Sequence, residues 1–63
     1  MTEKELLYYE DAIGHETNTI DICNFIIQNV TEDDLANFMR KQLKKHEEIK
    51  DELMCKMEEL ADE

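Results

Sequence analysis

Residues 29–34, which read Asn-Val-Thr-Glu-Asp-Asp, are the stretch that decides the fold. The hydroxyl of Thr31 suits the N-cap of a helix, and Asp34 stands three residues later, at the capping-box position. The acidic residues 32–34 also suit the positive end of a helix dipole. The stretch therefore predicts that one helix ends near residue 29 and another begins near residue 32, with a turn at about 30–31.

The segment before this break has the periodicity of a helix over about residues 2–29. Thr2 is the candidate N-cap, and Glu5 three residues later completes a capping box. Glu16 interrupts the apolar stripe, and Gly14 lies within the same helix at a cost of about 1 kcal/mol against alanine. Gly14 permits either close helix approach or a kink, and both stay open. The stripe has helical spacing, close to a heptad seam, and comprises Leu6, Tyr9, Ile13, Ile20, Cys23, Ile27 and Val30.

The segment after the break predicts a second helix over about residues 32–60. His46 lies in the middle of its apolar stripe, where a polar ring needs a partner. Folding the chain at the turn places Glu16 roughly opposite His46. The short turn forces the helices antiparallel, so the sequence predicts one all-α hairpin domain over residues 1–63. The stripe comprises Leu35, Met39, Leu43, Ile49, Leu53, Met57 and Leu60.

Several large apolar residues lie outside these two stripes, namely Leu7, Ile22, Phe25 and Phe38. Exposed apolar surface of this kind is typical of an interface with another molecule. A second hairpin related by a two-fold axis is the economical answer, so we predict a four-helix bundle formed by a homodimer. The predicted dimer interface comprises Leu6, Ile13, Ile20, Ile27, Leu35, Met39, Leu43, Leu53 and Met57.

Composition limits the function classes. A chain of 63 residues buries little surface alone, and proteins of this size usually add disulfides, a metal or a second copy. The net charge of -10, from 17 acidic and 7 basic residues, argues against nucleic acid and anionic membranes as partners. The chain contains no serine and no glycine-rich phosphate loop. We therefore expect neither an enzyme nor a bound cofactor.

The two cysteines read as reduced thiols of a cytoplasmic protein. Cys23 lies on the apolar stripe and is expected to be a small buried residue, whereas Cys55 lies off the seam. The hairpin separates them by about 24 Å at helical rise, which excludes an intrachain disulfide.

Glu16 and His46 are the candidate site. Their main interpretation is a structural hydrogen-bonded pair inside the bundle. One alternative is a metal site, in which a two-fold axis brings together two copies of each residue; the other is a partly exposed position in which neither residue has a role. The Glu-x-x-His signature of di-iron bundles is missing, because Leu43 stands three residues before His46. The neighbouring His15 points about 100° away around the helix and is expected at the surface.

One family shares the order of several of these residues. The chain resembles the spore coat protein F-like family in Glu16, Leu35, Leu43, Glu47-Glu48-Ile49, Glu52-Leu53 and Met57. The resemblance implies a ferritin-like helical bundle built from paired hairpins, and a sporulation context.

These observations predict a small structural, assembly or protein-interaction protein, related to the spore coat. One alternative is a metal-binding ferritin-like half-bundle using Glu16 and His46. Another is an acidic helical regulator that binds a partner protein. The expected location is the cytoplasm, with a spore-associated location as the alternative.

Overall fold

The protein is a hairpin of two long α-helices. A computed structural model describes residues 1–61, with α1 over Glu3–Asn29 and α2 over Asp33–Ala61. The described residues form no strand, and the two helices pack against each other along their length. The predicted all-α antiparallel hairpin is therefore confirmed. The last two residues of the predicted domain, 62 and 63, lie outside the described residues.

The start of α1 is fixed by the predicted capping box. The backbone N–H of Glu5 donates to the Thr2 hydroxyl oxygen, and the Thr2 N–H donates to the Glu5 carboxylate, both at 3.1 Å. Each bond satisfies a backbone donor that has no partner within the helix. At the other end, Val30 adopts an extended conformation, and its N–H donates to the carbonyl of Ile26 at 3.0 Å.

The predicted N-cap of the second helix is wrong by one residue. The first carbonyl that accepts a bond from α2 is that of Glu32, which receives the N–H of Ala36 at 3.1 Å. Glu32 rather than Thr31 thus stands immediately before the helix, and the connection spans residues 30–32 instead of 30–31. The extended backbone of Val30 carries the chain out of α1, so an extra residue precedes the second helix. Asp33 and Asp34 then occupy the first turn, where the dipole favours acids.

The packing between the helices is closest near the turn. Cys23 on α1 is 3% exposed and Ala36 on α2 is 7% exposed, and these are the two buried residues of the described chain. Most other seam residues are half-buried. The molecule measures 47 × 14 × 11 Å, and its radius of gyration of 14.6 Å exceeds the ~11 Å of a compact domain of this length. Within one hairpin, the apolar stripe of each helix is therefore only partly covered by the other helix.

Large apolar side chains remain in solvent. Leu7, Ile22, Phe25 and Phe38, the residues predicted to lie off the seam, are 58%, 59%, 67% and 56% exposed. The accessible surface is 4997 Å², against about 4,250 Å² for a compact monomer of 7.5 kDa. The excess is similar to the ~800 Å² that each partner buries in a standard interface.

Gly14 has no packing role inside the hairpin. A Cβ built on it would meet nothing within 4 Å, and its φ is not positive. Of the two roles left open by the sequence, close approach to α2 is therefore wrong, because Gly14 faces open space.

We expect Gly14→Ala to stabilise the fold by about 1 kcal/mol, because alanine has the higher helix propensity and meets no atom. Chemical denaturation of both proteins at one concentration measures the change. Ile13→Ala, which truncates a half-buried seam residue next to it, is the control and should destabilise. A loss of stability in Gly14→Ala would mean that another surface lies against this position.

The capping box makes the first turn of α1 sensitive to acid. The bond from the Thr2 backbone N–H, with a further contribution from the Thr2 side chain, holds the pKa of Glu5 below the ordinary glutamate value. A carboxylate with a lowered pKa stabilises the fold above its unfolded pKa, and loses this effect as pH falls through the folded pKa. We therefore expect the protection factors of the Thr2 and Glu5 amides, measured against the intrinsic exchange rate at each pH, to fall as the pH is lowered. In Glu5→Gln this pH dependence should disappear from the first turn, and its persistence would contradict the assignment.

Candidate functional site: a polar pair in the helix seam

The structure brings the two candidate site residues into direct contact. The Nδ1 atom of His46 lies 2.5 Å from the Oε2 atom of Glu16. The side chains are 26% and 18% exposed, respectively, so both are mostly withdrawn from water without being fully buried. The predicted pairing of residues 30 positions apart is confirmed, and with it the register of the hairpin.

Helical spacing explains why this pair forms. Glu16 lies between the half-buried Ile13 and Ile20 on α1, and His46 lies one turn from Leu43 on α2. Residues three and four apart share a helix face, so both polar side chains are directed to the seam with their apolar neighbours. Each is the partner that the other needs in this position.

A carboxylate oxygen can only accept a hydrogen bond, so a bond to the Glu16 carboxylate is donated by the Nδ1–H of His46, in the tautomer that carries a proton there. No buried side-chain nitrogen or oxygen among the described residues lacks a hydrogen-bond partner. The pair therefore withdraws two polar groups from water without leaving either unsatisfied, which is the condition for tolerating them in a helix seam.

Within one chain, only Glu16 and His46 are available as metal ligands at this site. No group of three or more His, Cys, Asp or Glu side chains within residues 1–61 is arranged to hold a metal ion. The Nδ1 atom of His46 is already occupied by the bond to Glu16. His15 is exposed, as predicted, and lies beside Glu10 and Asp11 on the outer surface of α1. The metal-site alternative thus requires ligands from a second copy.

The cysteines and tyrosines lie as expected from their spacing. Cys23 is buried and Cys55 is exposed, and both are free thiols. Tyr9 is half-buried, whereas Tyr8 is 59% exposed. Tyr9 and residues of α2 line a surface groove on one side of the hairpin, formed with Ile49, Glu52, Leu53 and Lys56.

Most of the predicted dimer-interface residues face the other helix of the same chain. Ile13, Ile20, Ile27, Met39, Leu43, Leu53 and Met57 are half-buried in the seam. Leu6 and Leu35 at its edges are 36% and 40% exposed. A half-covered seam is compatible with the core of a larger bundle, and the role of these residues in a dimer stays a prediction.

Sequence reasoning missed two features of the surface. Lys56 pairs with Glu59 at 3.7 Å, a contact that the sequence analysis does not predict. The basic cluster that begins at Arg40 and ends at Lys45 also has no carboxylate within 4 Å among the described residues, whose ion pairs are His46–Glu16 and Lys56–Glu59. Side-chain rotamers decide such contacts, and the residue order alone does not specify them.

We expect the double substitution Glu16→Leu with His46→Leu to stabilise the protein by about 1 kcal/mol. Apolar side chains recover burial without desolvating two polar groups, and buried ion pairs often return no more than they cost. His46→Leu alone should destabilise by about 1–2 kcal/mol, because the Glu16 carboxylate loses its partner. Chemical denaturation of the three proteins measures both changes, and a loss of several kcal/mol in the double variant would contradict the structural role.

Comparisons of the chain with protein-family models, curated proteins and solved structures find no match. The resemblance to spore coat protein F-like proteins therefore stays a prediction. No helix among the described residues is both long enough and apolar enough to span a membrane.

Proposed function

We propose that this protein is a structural building block that self-associates, with two hairpins forming a four-helix bundle. The observation that carries the proposal is the unburied apolar surface. Nine large apolar side chains of the described chain are more than a third exposed, while only Cys23 and Ala36 are buried. A folded chain with so small a core needs further apolar contacts to be stable.

A second copy of the chain can supply these apolar contacts, because it carries the same exposed apolar surface. Four-helix bundles are built from helices of this length with apolar positions at heptad spacing. The half-buried residues that line the open groove of the seam, such as Ile49 and Leu53, are then covered by the second copy. The resemblance to spore coat protein F-like proteins, which implies paired hairpins, supports the same assembly and a place in the cytoplasm or the spore.

The test is the mass of the purified protein in solution, measured by light scattering during size-exclusion chromatography. We expect about twice the chain mass of 7.5 kDa over a range of concentrations in the micromolar region. Because Cys55 is exposed, the measurement is made with reductant and repeated on Cys55→Ser, which should give the same mass. A chain that stays monomeric at every concentration would overturn the proposal.

A further inference from the structure

Three features of the described surface are candidates for contact with a second molecule. The polar groove beside Gly14 and His15 has no buried group directed into it, and the Glu16–His46 pair has too few donors for a metal within one chain. The third feature is one side of the hairpin, where exposed apolar residues and unpaired charges occur together. That side carries the inference below, which rests on the self-association proposed above.

The hairpin has two sides, one on each side of the seam, and α1 contributes different kinds of residue to each of them. In an antiparallel pair of helices, the residues that immediately precede the seam positions fall on the same side of both helices. On α1 these residues have spacings of four and three, and they are Tyr8, Ala12, His15, Thr19, Ile22 and Ile26. The opposite side of α1 carries polar residues, including Glu10, Thr17, Asp21, Asn24 and Gln28. We call the side that contains Tyr8 and Ile22 the apolar side.

The apolar side also has a size pattern along α1. Tyr8 and Ile22, both 59% exposed, flank the small residues Ala12 and Thr19, and Ile26 lies one turn beyond Ile22. From Tyr8 to Ile22 the pattern reads large, small, His15, small, large, so this part is nearly the same in either direction. When two such helices pack antiparallel with a two-fold axis near His15, Tyr8 of each copy meets Ile22 of the other, and Ala12 meets Thr19.

On α2, charged residues lie along the outer edge of the apolar side, and their pattern is centred at about the same level of the hairpin as the size pattern of α1. Lys41, Lys45, Glu48 and Glu52 have spacings of four, three and four, which places them on one stripe. Their signs run plus, plus, minus, minus. When two copies of this stripe lie antiparallel, Lys41 faces the second copy's Glu52, and Lys45 faces the second copy's Glu48. None of the four has an ion-pair partner within residues 1–61.

The two patterns agree on the position of the axis. The charge pattern is centred between Lys45 and Glu48, at about the level of His46, and the size pattern is centred at about His15. The bond between Glu16 and His46 places these two levels side by side in the hairpin. A single two-fold axis across the apolar side therefore serves both helices at once.

We infer that the partner of this hairpin is a second copy of the same chain, docked antiparallel on the apolar side with the two-fold axis at the level of Glu16 and His46. In this arrangement α1 packs on α1 and α2 on α2 of the second copy, and the turn of each hairpin lies against the open end of the other. Phe38, 56% exposed near one turn, then lies against α2 of the second copy at the level of Cys55, in the register that brings Lys41 to Glu52. Opposite charges along the edge fix the direction and register of docking.

The test uses two variants with opposite charge changes. Lys41→Glu with Lys45→Glu makes the stripe wholly acidic, and Glu48→Lys with Glu52→Lys makes it wholly basic. Each alone brings like charges together in a homodimer, so we expect its dimer dissociation constant to rise about tenfold or more at low salt. Mixing the two variants should yield a heterodimer in preference to either homodimer, which native mass spectrometry detects.

The chain supplies a matched control one residue earlier. Arg40, Lys44, Glu47 and Asp51 have the same spacing and order of signs, but Glu47 and Asp51 line the groove on the opposite side of the hairpin with Ile20. The corresponding charge-reversed variants of this stripe should mix without preference for heterodimers. Heterodimers from this stripe instead, or from neither, would overturn the docking arrangement while leaving self-association intact. A monomeric unmodified protein would overturn self-association itself.

Discussion

Two helices joined by a short turn can cover only one stripe of each other, and this constraint governs the rest of the structure. The seam of α1 and α2 buries Cys23 and Ala36 near the turn and leaves most of its other members half-covered. Burial of apolar surface is the main force that stabilises a fold. The hairpin alone buries little apolar surface and leaves large apolar side chains exposed, and the proposed self-association would cover part of this surface.

The Glu16–His46 bond determines how the seam is aligned. A helix pair lined only by aliphatic residues can slide by a turn and still bury similar area. A polar pair allows one register, because any shift leaves a carboxylate and an imidazole without partners. The pair thus adds specificity, and its contribution to the free energy of folding is small or unfavourable. Its level along the hairpin is also where the surface patterns of both helices are centred, which links the register inside one chain to docking between chains.

Much of the fold could be predicted from the sequence, because it depends on local rules. The Thr2–Glu5 capping box, the helix over Glu3–Asn29 and the pairing of Glu16 with His46 follow from residue types and from spacing along a helix. The exact start of α2 was not predicted, because residue preference favours Thr31 as the N-cap, whereas the structure begins the helix one residue later, after Glu32.

The site was harder to predict than the fold. Spacing placed the histidine opposite the glutamate, but the depth of burial depends on how closely the two helices approach, which residue spacing does not specify. The sequence also could not show that Gly14 faces open space, because a glycine in a helix is compatible with close packing and with empty space. The proposed function concerns the exposed apolar surface, and it is an inference about what would cover that surface.

The measurement that tests the dependence of the fold on association most directly is the thermal unfolding midpoint as a function of protein concentration, followed by circular dichroism. If the hairpin is completed by a second copy, unfolding is coupled to dissociation, and the midpoint should rise steadily with concentration over several orders of magnitude. A midpoint that stays the same at all concentrations, with a cooperative transition, would show that one chain is stable alone and would contradict the central role assigned to its exposed apolar surface.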